Sequence, residues 1–136
     1  MYFNGKRNGK GKEYDKEGKL IFEGEYINGK RNGKGKEYYN EDDLIKFEGE
    51  YLNGKRYGKG KEYYYDERKI KFEGEYLNGK RNGKGKEYDD DGGLIFEGEY
   101  LNGKRNGKGK EYDLNGKLKF HHIYLLFLFG YLLPFF

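Results

Sequence analysis

FEGEYLNGKRNGKGKEY, from Phe72 to Tyr88, is the stretch that decides the fold, because the chain repeats it. Copies begin at Phe22, Phe47, Phe72 and Phe96, spaced 25, 25 and 24 residues apart, and Tyr2 stands where Tyr26 stands one unit later. A fixed period of this size marks a repeat architecture, in which each unit buries its apolar side on its neighbours. Within the unit, Phe72-Glu73-Gly74-Glu75-Tyr76 alternates apolar and charged residues with period two. That places Phe72, Gly74 and Tyr76 on one face of a strand and Glu73 and Glu75 on the other. A helix would not carry glycine this often without an alanine or leucine stripe.

Asn78-Gly79 follows, a strong turn signal because both residues tolerate positive φ. The chain continues as Lys80-Arg81-Asn82-Gly83 and comes back as Lys84-Gly85-Lys86-Glu87-Tyr88, which reads as a hairpin closed by a loop of several residues. A second, polar turn leads to the next unit, at 15–18, 40–43, 66–68, 89–93 and 113–116, and the one-residue change in repeat length falls here. The expected organisation is a repeat array over 1–119, with a partial unit 1–21 and full units 22–46, 47–71, 72–95 and 96–119, then a degenerate sixth unit and apolar tail at 120–136. Two strands of about six residues per unit, stacked about 4.8 Å apart, predict an all-β, elongated antiparallel meander of stacked hairpins, about 50 Å long and about 20 Å wide. The glycines at Gly24, Gly49, Gly74 and Gly98 are expected to let a ring from a neighbouring strand rest on bare backbone. The structural repeat positions are thus Phe22, Gly24 and Tyr26; Phe47, Gly49 and Tyr51; Phe72, Gly74 and Tyr76; Phe96, Gly98 and Tyr100.

The chain of 136 residues is 34% hydrophobic and 38% charged, too little apolar material for a conventional globular core. A one-dimensional stack suits that balance, and an aromatic content of 19% at fixed positions argues against disorder. Cys, Ser, Thr, Gln, Ala, Val and Trp do not occur. There is therefore no disulfide, no thiolate metal site and no Ser, Thr or Cys nucleophile, which excludes most hydrolase and transferase mechanisms. The Gly-Lys-rich loop is not a phosphate-binding loop, since Gly29 and Gly33 enclose three residues where that motif needs four, and no Ser or Thr follows. The run Asp89 to Gly93 lacks the alternate spacing and distal Glu of a calcium loop and reads as a solvated turn. His121 and His122 would point to opposite faces of a strand with no Cys or third His to complete a metal site. Glu73 and Glu75 recur in every full unit, so they read as structural carboxylates meeting Lys84 or Lys86 across the hairpin. No catalytic residue, cofactor or metal is expected.

The net charge of +4 conceals a segregation: 20 of the 28 Lys and Arg residues lie in five copies of GKRxGKGK, while 13 of the 24 acids occupy fixed strand positions and 11 lie in the variable turns. One edge of the stack is expected to be basic and the other acidic. The candidate contacts for an anionic partner are Lys30, Arg31 and Lys34; Lys55, Arg56 and Lys59; Lys80, Arg81 and Lys84; Lys104, Arg105 and Lys108. Near an anionic bilayer each such residue contributes on the order of 1 kcal/mol, fading with salt. The competing reading is that these charges keep a β ribbon soluble and discourage edge pairing. Nucleic acid fits less well than protein or lipid, since packing claims the aromatics that would stack on bases.

From Phe120 the pattern breaks: Phe120 and Tyr124 keep the aromatic spacing, His121-His122-Ile123 replaces Glu-Gly-Glu, and the chain continues to Phe136 almost wholly apolar. Ile123 to Phe136 as a helix would span about 21 Å against about 30 Å of hydrocarbon. A membrane-associating tail, an apolar strand over the end of the stack and a frame-shifted final unit all remain open. Met1 leads straight into repeat sequence, so a cytoplasmic location is expected, with membrane association through the loops or the tail.

The repeat resembles that of the MORN family, the membrane occupation and recognition nexus, whose unit reads roughly Tyr-x-Gly-x-Trp, a short Gly-Lys loop, then Gly-x-Gly and a closing turn. The matching residues are Phe22, Gly24, Tyr26, Gly29, Gly33 and Gly35, with equivalents over Phe47 to Gly60, Phe72 to Gly85 and Phe96 to Gly109, in phase across about residues 1 to 120. Tyr stands for the usual Trp, and the unit is slightly longer than typical, which brings it near bacterial repeat proteins described as antitoxin-like. The resemblance implies an antiparallel β ribbon used as an interaction scaffold. Some members are linked to acidic phospholipids or adjoin lipid kinase or methyltransferase domains. The expected function is a non-catalytic scaffold for protein partners or for self-association. A peripheral module binding acidic phospholipid membranes through its basic loops is the alternative, and service to a larger enzyme a third.

Overall fold

A computed structural model describes the backbone of residues 2–39, 43–65 and 69–124 and their side chains as far as Lys119. Most of the turns expected at 40–43 and 66–68, and the tail from Leu125 onward, lie outside the described residues. The described chain is all β, without a helix, and none is therefore long and apolar enough to cross a membrane. Strands β1 (Tyr2–Phe3) and β2 (Lys6–Arg7) form a short hairpin. Then follow β3 (Gly9–Tyr14), β4 (Leu20–Ile27), β5 (Lys30–Tyr38), β6 (Ile45–Leu52), β7 (Lys55–Tyr63), β8 (Ile70–Leu77), β9 (Lys80–Tyr88), β10 (Leu94–Leu101), β11 (Lys104–Tyr112) and β12 (Leu118–Tyr124). These last ten strands form one sheet in which each pairs antiparallel with its neighbours in sequence.

The expected loop of several residues is a two-residue turn. Asn78 and Gly79 both take positive φ, 50° and 85°, as do Asn28-Gly29, Asn53-Gly54 and Asn102-Gly103. That geometry matches the twist of the flanking strands, so Lys80 and Arg81 already belong to β9. The second glycine, Gly83, lies inside the strand at φ +99°, beside the register shift between Gly74 and Tyr76 that marks a bulge. Strands of the full units consequently have 8 and 9 residues, longer than the six expected. Successive turns are tied together, Gly54 N–H donating to the Arg31 carbonyl at 2.8 Å and Gly79 N–H to that of Arg56 at 3.0 Å.

The core is a single file of rings. Phe22, Phe47, Phe72 and Phe96 are fully buried, and Tyr26, Tyr51, Tyr76 and Tyr100 nearly so. Phe72 meets Tyr76 of its own strand at 5.7 Å and Tyr100 of the next unit at 5.1 Å, both edge to face. The same pattern links Phe22 to Tyr51 and Phe47 to Tyr76, making a continuous zigzag. Each phenylalanine folds back over the glycine two residues later in its own strand and covers the glycine paired with it. A Cβ on Gly74 would lie 2.8 Å from Phe72 Cζ and 2.7 Å from Gly85 Cα; one on Gly85 would lie 2.5 Å from the same ring. The ring over Gly74 therefore comes from its own strand, not a neighbouring one as expected, because the paired glycines leave a slot across both strands. At the far end the backbone of β12 repeats the register, Phe120, His122 and Tyr124 opposite Glu111, Gly109 and Gly107, as Phe96, Gly98 and Tyr100 stand opposite Glu87, Gly85 and Gly83.

Gly74→Ala should lose more than about 3 kcal/mol in urea melts followed by circular dichroism, since backbone stands where the methyl must go. Gly79→Asn, in open space at a φ that asparagine tolerates, should lose less than about 1 kcal/mol.

Candidate functional site

On the ring face each of the four buried phenylalanines is roofed by an arginine. Arg31, Arg56, Arg81 and Arg105 lie over Phe22, Phe47, Phe72 and Phe96 with the guanidinium carbon 3.9, 4.0, 4.0 and 4.1 Å from the ring centre. Each then reaches a glutamate of the preceding unit. Arg81, on β9, crosses β8 and donates through Nε and Nη2 to Glu62 on β7, at 3.0 and 2.9 Å. Arg31, Arg56 and Arg105 reach Glu13, Glu37 and Glu87 in the same way. The carboxylate of Glu62 also accepts the Tyr76 hydroxyl at 2.6 Å, as Glu37 accepts that of Tyr51. Burial alone would raise the Glu62 carboxyl, but hydrogen bonds from Arg81 and Tyr76 and the nearby arginine charges outweigh it and hold the group below the usual carboxylate range. Burial, with the bond to Glu62, pushes the Tyr76 phenol well above its ordinary value.

The basic set identified in the sequence thus divides three ways. Arg31, Arg56, Arg81 and Arg105 are half-buried straps of the core, each in an ion pair with a glutamate. Lys30, Lys55, Lys80 and Lys104 are exposed beside the Asn-Gly turns, paired across the strands with Ile27, Leu52, Leu77 and Leu101. Lys34, Lys59, Lys84 and Lys108 are exposed on the face opposite the rings. Period-two alternation decides the split, because adjacent Lys80 and Arg81 must point to opposite sides.

That opposite face is an open trough of about 1780 Å³ running from β3 to β11, with glycine backbone as its floor. Its walls alternate in charge strand by strand: Lys34 and Lys36 on β5 face Glu50 and Glu48 on β6, and the pattern recurs along the sheet. The fixed acids therefore do not gather at one edge as expected. Glu13, Glu37, Glu62 and Glu87 go beneath the arginines, while the Glu-Gly-Glu pairs stripe the trough. Those pairs also do more local work than expected. Glu75 accepts the Lys84 backbone N–H at 2.7 Å, bracing the bulge, and Glu73 accepts the Tyr88 hydroxyl at 2.5 Å. Burial and that bond push the Tyr88 phenol up to about 12. Among the described residues Glu73 and Glu75 do not form the ion pairs with Lys84 or Lys86 expected across the hairpin; the one lysine–glutamate pair of this face joins Lys12 and Glu23, on β3 and β4 of successive units, at 3.6 Å.

The opposite edge carries the second turns, where Asp89 Oδ1 accepts the backbone N–H groups of Asp91 and Gly93 at 3.0 and 2.7 Å, a turn-making role that Asp15 and Asp113 repeat. Among the described residues no group of acids and histidines could hold a metal ion. Two sets of surface residues were not among the candidate contacts read from the sequence: the second lysine of each Lys-Gly-Lys, such as Lys36 and Lys86, and the aliphatics of the turn edge. The signal for the first was present, since Lys84 and Lys86 flank a ring-face glycine and must share the other face.

The family model for the MORN repeat matches residues 1–19, 22–43, 47–67, 72–94 and 96–117. No curated protein matches the chain.

The glutamates under the arginines titrate below the ordinary 4.5, so the stability they add is present above that pH and is lost as pH falls through their folded values. The core tyrosines titrate above the ordinary 10.0, so their share is present below that pH and is lost above it. Thermal melts from pH 3 to 11 should show a plateau between these limits and a steep fall on each side, and Glu62→Gln should lower the plateau and flatten the acid limb.

Proposed function

This chain belongs to the MORN repeat family, whose repeats form scaffolds that engage proteins or membranes, and we propose that it is a non-catalytic scaffold seating an elongated segment of a partner protein in its striped trough. One observation carries this reading: the ring face spends its charges on itself, whereas the trough face presents exposed lysines such as Lys34, Lys59 and Lys84 that form no ion pair among the described residues. Like charges recur along the trough every second strand, about 9.6 Å apart, which selects a partner whose own charges repeat on that spacing. A cytoplasmic setting accords with a chain that has no cysteine.

A second reading rests on the turn edge. Phe3, Ile27, Leu52, Leu77 and Leu101 are 66, 53, 45, 45 and 36% exposed, and each stands across from a lysine. One apolar side chain and one ammonium group per unit, in a row, suit the interface of an acidic bilayer, and the docking is then by this edge and not by the arginines.

Two sets of substitutions separate the readings. Lys34→Glu, Lys59→Glu and Lys84→Glu together should abolish capture of the protein partner held by the wild-type chain in a pull-down, while Leu52→Asp with Leu77→Asp leaves it intact. Flotation with acidic liposomes that fades at high salt and disappears in the leucine variant would favour the membrane edge instead. A chain that stays monomeric in light scattering and captures neither protein nor liposomes contradicts both.

A further inference from the structure

The trough offers its two signs of charge unequally. Its glutamates already receive donors from the sheet itself: Glu25, Glu75 and Glu99 accept the backbone N–H groups of Lys34, Lys84 and Lys108 at 2.9, 2.7 and 3.0 Å, and Glu73 and Glu97 accept the hydroxyls of Tyr88 and Tyr112 at 2.5 Å. Lys34, Lys59, Lys84 and Lys108 are exposed and enter no ion pair among the described residues. The charge left for a partner to answer is therefore positive.

Those four lysines stand on β5, β7, β9 and β11, every second strand of one continuous sheet, so they recur at about 9.6 Å along the trough. Within a strand, Lys84 and Lys86 flank Gly85 on the same face, about 6.8 Å apart, and a carboxylate lowered between them meets both ammonium groups. A Glu-Gly-Glu strand lies midway between successive Lys-Gly-Lys strands, about 4.8 Å from each, and repels a negative charge placed there. Among extended, α-helical and polyproline II chains, only the last matches this spacing with its side chains on one side. Polyproline II has three residues per turn and rises about 3.1 Å per residue, so every third side chain shares a face at about 9.3 Å. Across the three intervals from Lys34 to Lys108 it falls behind by about 0.9 Å, which flexible lysine stems absorb. In an extended strand three residues cover about 10 Å, but the third side chain points to the opposite face. In an α-helix the seventh residue returns to the same face after about 10.5 Å and is out of step by about 2.7 Å over the same length.

We propose that the trough binds a polyproline II segment of a partner protein carrying an acidic residue at every third position and uncharged residues between, one carboxylate entering each Lys-Gly-Lys. This assignment rests on the trough being the docking face, and it adds the conformation and the charge period of what docks there. A polyproline II backbone makes no hydrogen bonds of its own and stays solvated, which an open, polar trough permits. Its conformation is largely set before binding, so docking costs little order. Affinity comes from several exposed ion pairs acting together, each weak by itself, and fades with salt. Specificity comes from the period, because an acid out of step meets a glutamate.

The test is fluorescence anisotropy of a labelled, end-capped peptide of five Pro-Pro-Glu triplets, titrated with the full chain at about 0.1 M salt. Saturable binding below about 1 mM is expected. A peptide of the same composition with its glutamates in one block between prolines should bind at least about tenfold more weakly, and five Pro-Pro-Lys triplets should not bind in that range. In the chain, Lys34→Gln, Lys59→Gln and Lys84→Gln together, shown to be folded by circular dichroism, should weaken the periodic peptide at least about tenfold. Lys55→Gln, Lys80→Gln and Lys104→Gln remove the same charge from the turn edge and should change its binding by less than about twofold. No saturable binding up to about 1 mM, equal binding of the blocked peptide, or equal loss in the two variants would each overturn the proposal. If the peptides fail while a protein partner is still captured through the trough lysines, the docking face stands and only the polyproline II assignment falls, so the two failures are distinguishable.

Discussion

A phenylalanine ring pressed onto two paired glycines and roofed by an arginine is the interaction on which this molecule depends. Most domains bury the apolar face of a sheet against a second layer, and here the described residues provide none. The substitute is assembled from side chains. Removing the Cβ at Gly74 and Gly85 lets the Phe72 ring sink to backbone level, and the flat Arg81 guanidinium, itself held by Glu62, closes the top. A guanidinium serves where an ammonium would not, because it is planar, less strongly hydrated and able to make two parallel bonds to a carboxylate.

The strap also explains how units cooperate. Arg81 starts on β9, passes over a ring on β8 and ends on β7, so one side chain fastens three strands and two repeats. Tyr76 shares the same carboxylate, and Tyr100 abuts the Phe72 ring from the following unit. Stability is therefore a sum of nearest-neighbour terms along the ribbon. Because the arginines are consumed in this work, the exposed cations are the lysines left over, such as Lys80 and Lys84. The trough face and the turn edge have different chemistry even though both draw on the same basic motif.

Much of this was legible in the sequence. Period-two alternation gave the two faces of Phe72 to Tyr76, the 25-residue spacing gave the ladder, and the glycine recurring at Gly24, Gly49, Gly74 and Gly98 pointed to rings on bare backbone. The hairpin loop was misread because Asn78-Gly79 and Asn82-Gly83 look like one flexible stretch; the first is the turn and the second belongs to a bulge inside β9. The fate of the arginines was hidden for a different reason. Lys80-Arg81 reads as one basic pair, yet the partner that claims Arg81 is Glu62, 19 residues upstream, and that meeting depends on the register of three strands. Local pattern reports which face a residue occupies, but not which distant carboxylate waits there. The turn-edge aliphatics were overlooked because single exposed leucines are ordinary, and only their alignment across units gives them meaning.

The most direct test of the strap is a double-mutant cycle between Arg81 and Glu62, using Arg81→Met, Glu62→Gln and the pair, with stability read from urea melts. A half-buried, bidentate strap predicts a coupling of about 1.5 kcal/mol or more. A coupling below about 0.5 kcal/mol, the value of an ordinary exposed ion pair, would show that the arginines decorate the sheet without holding it together.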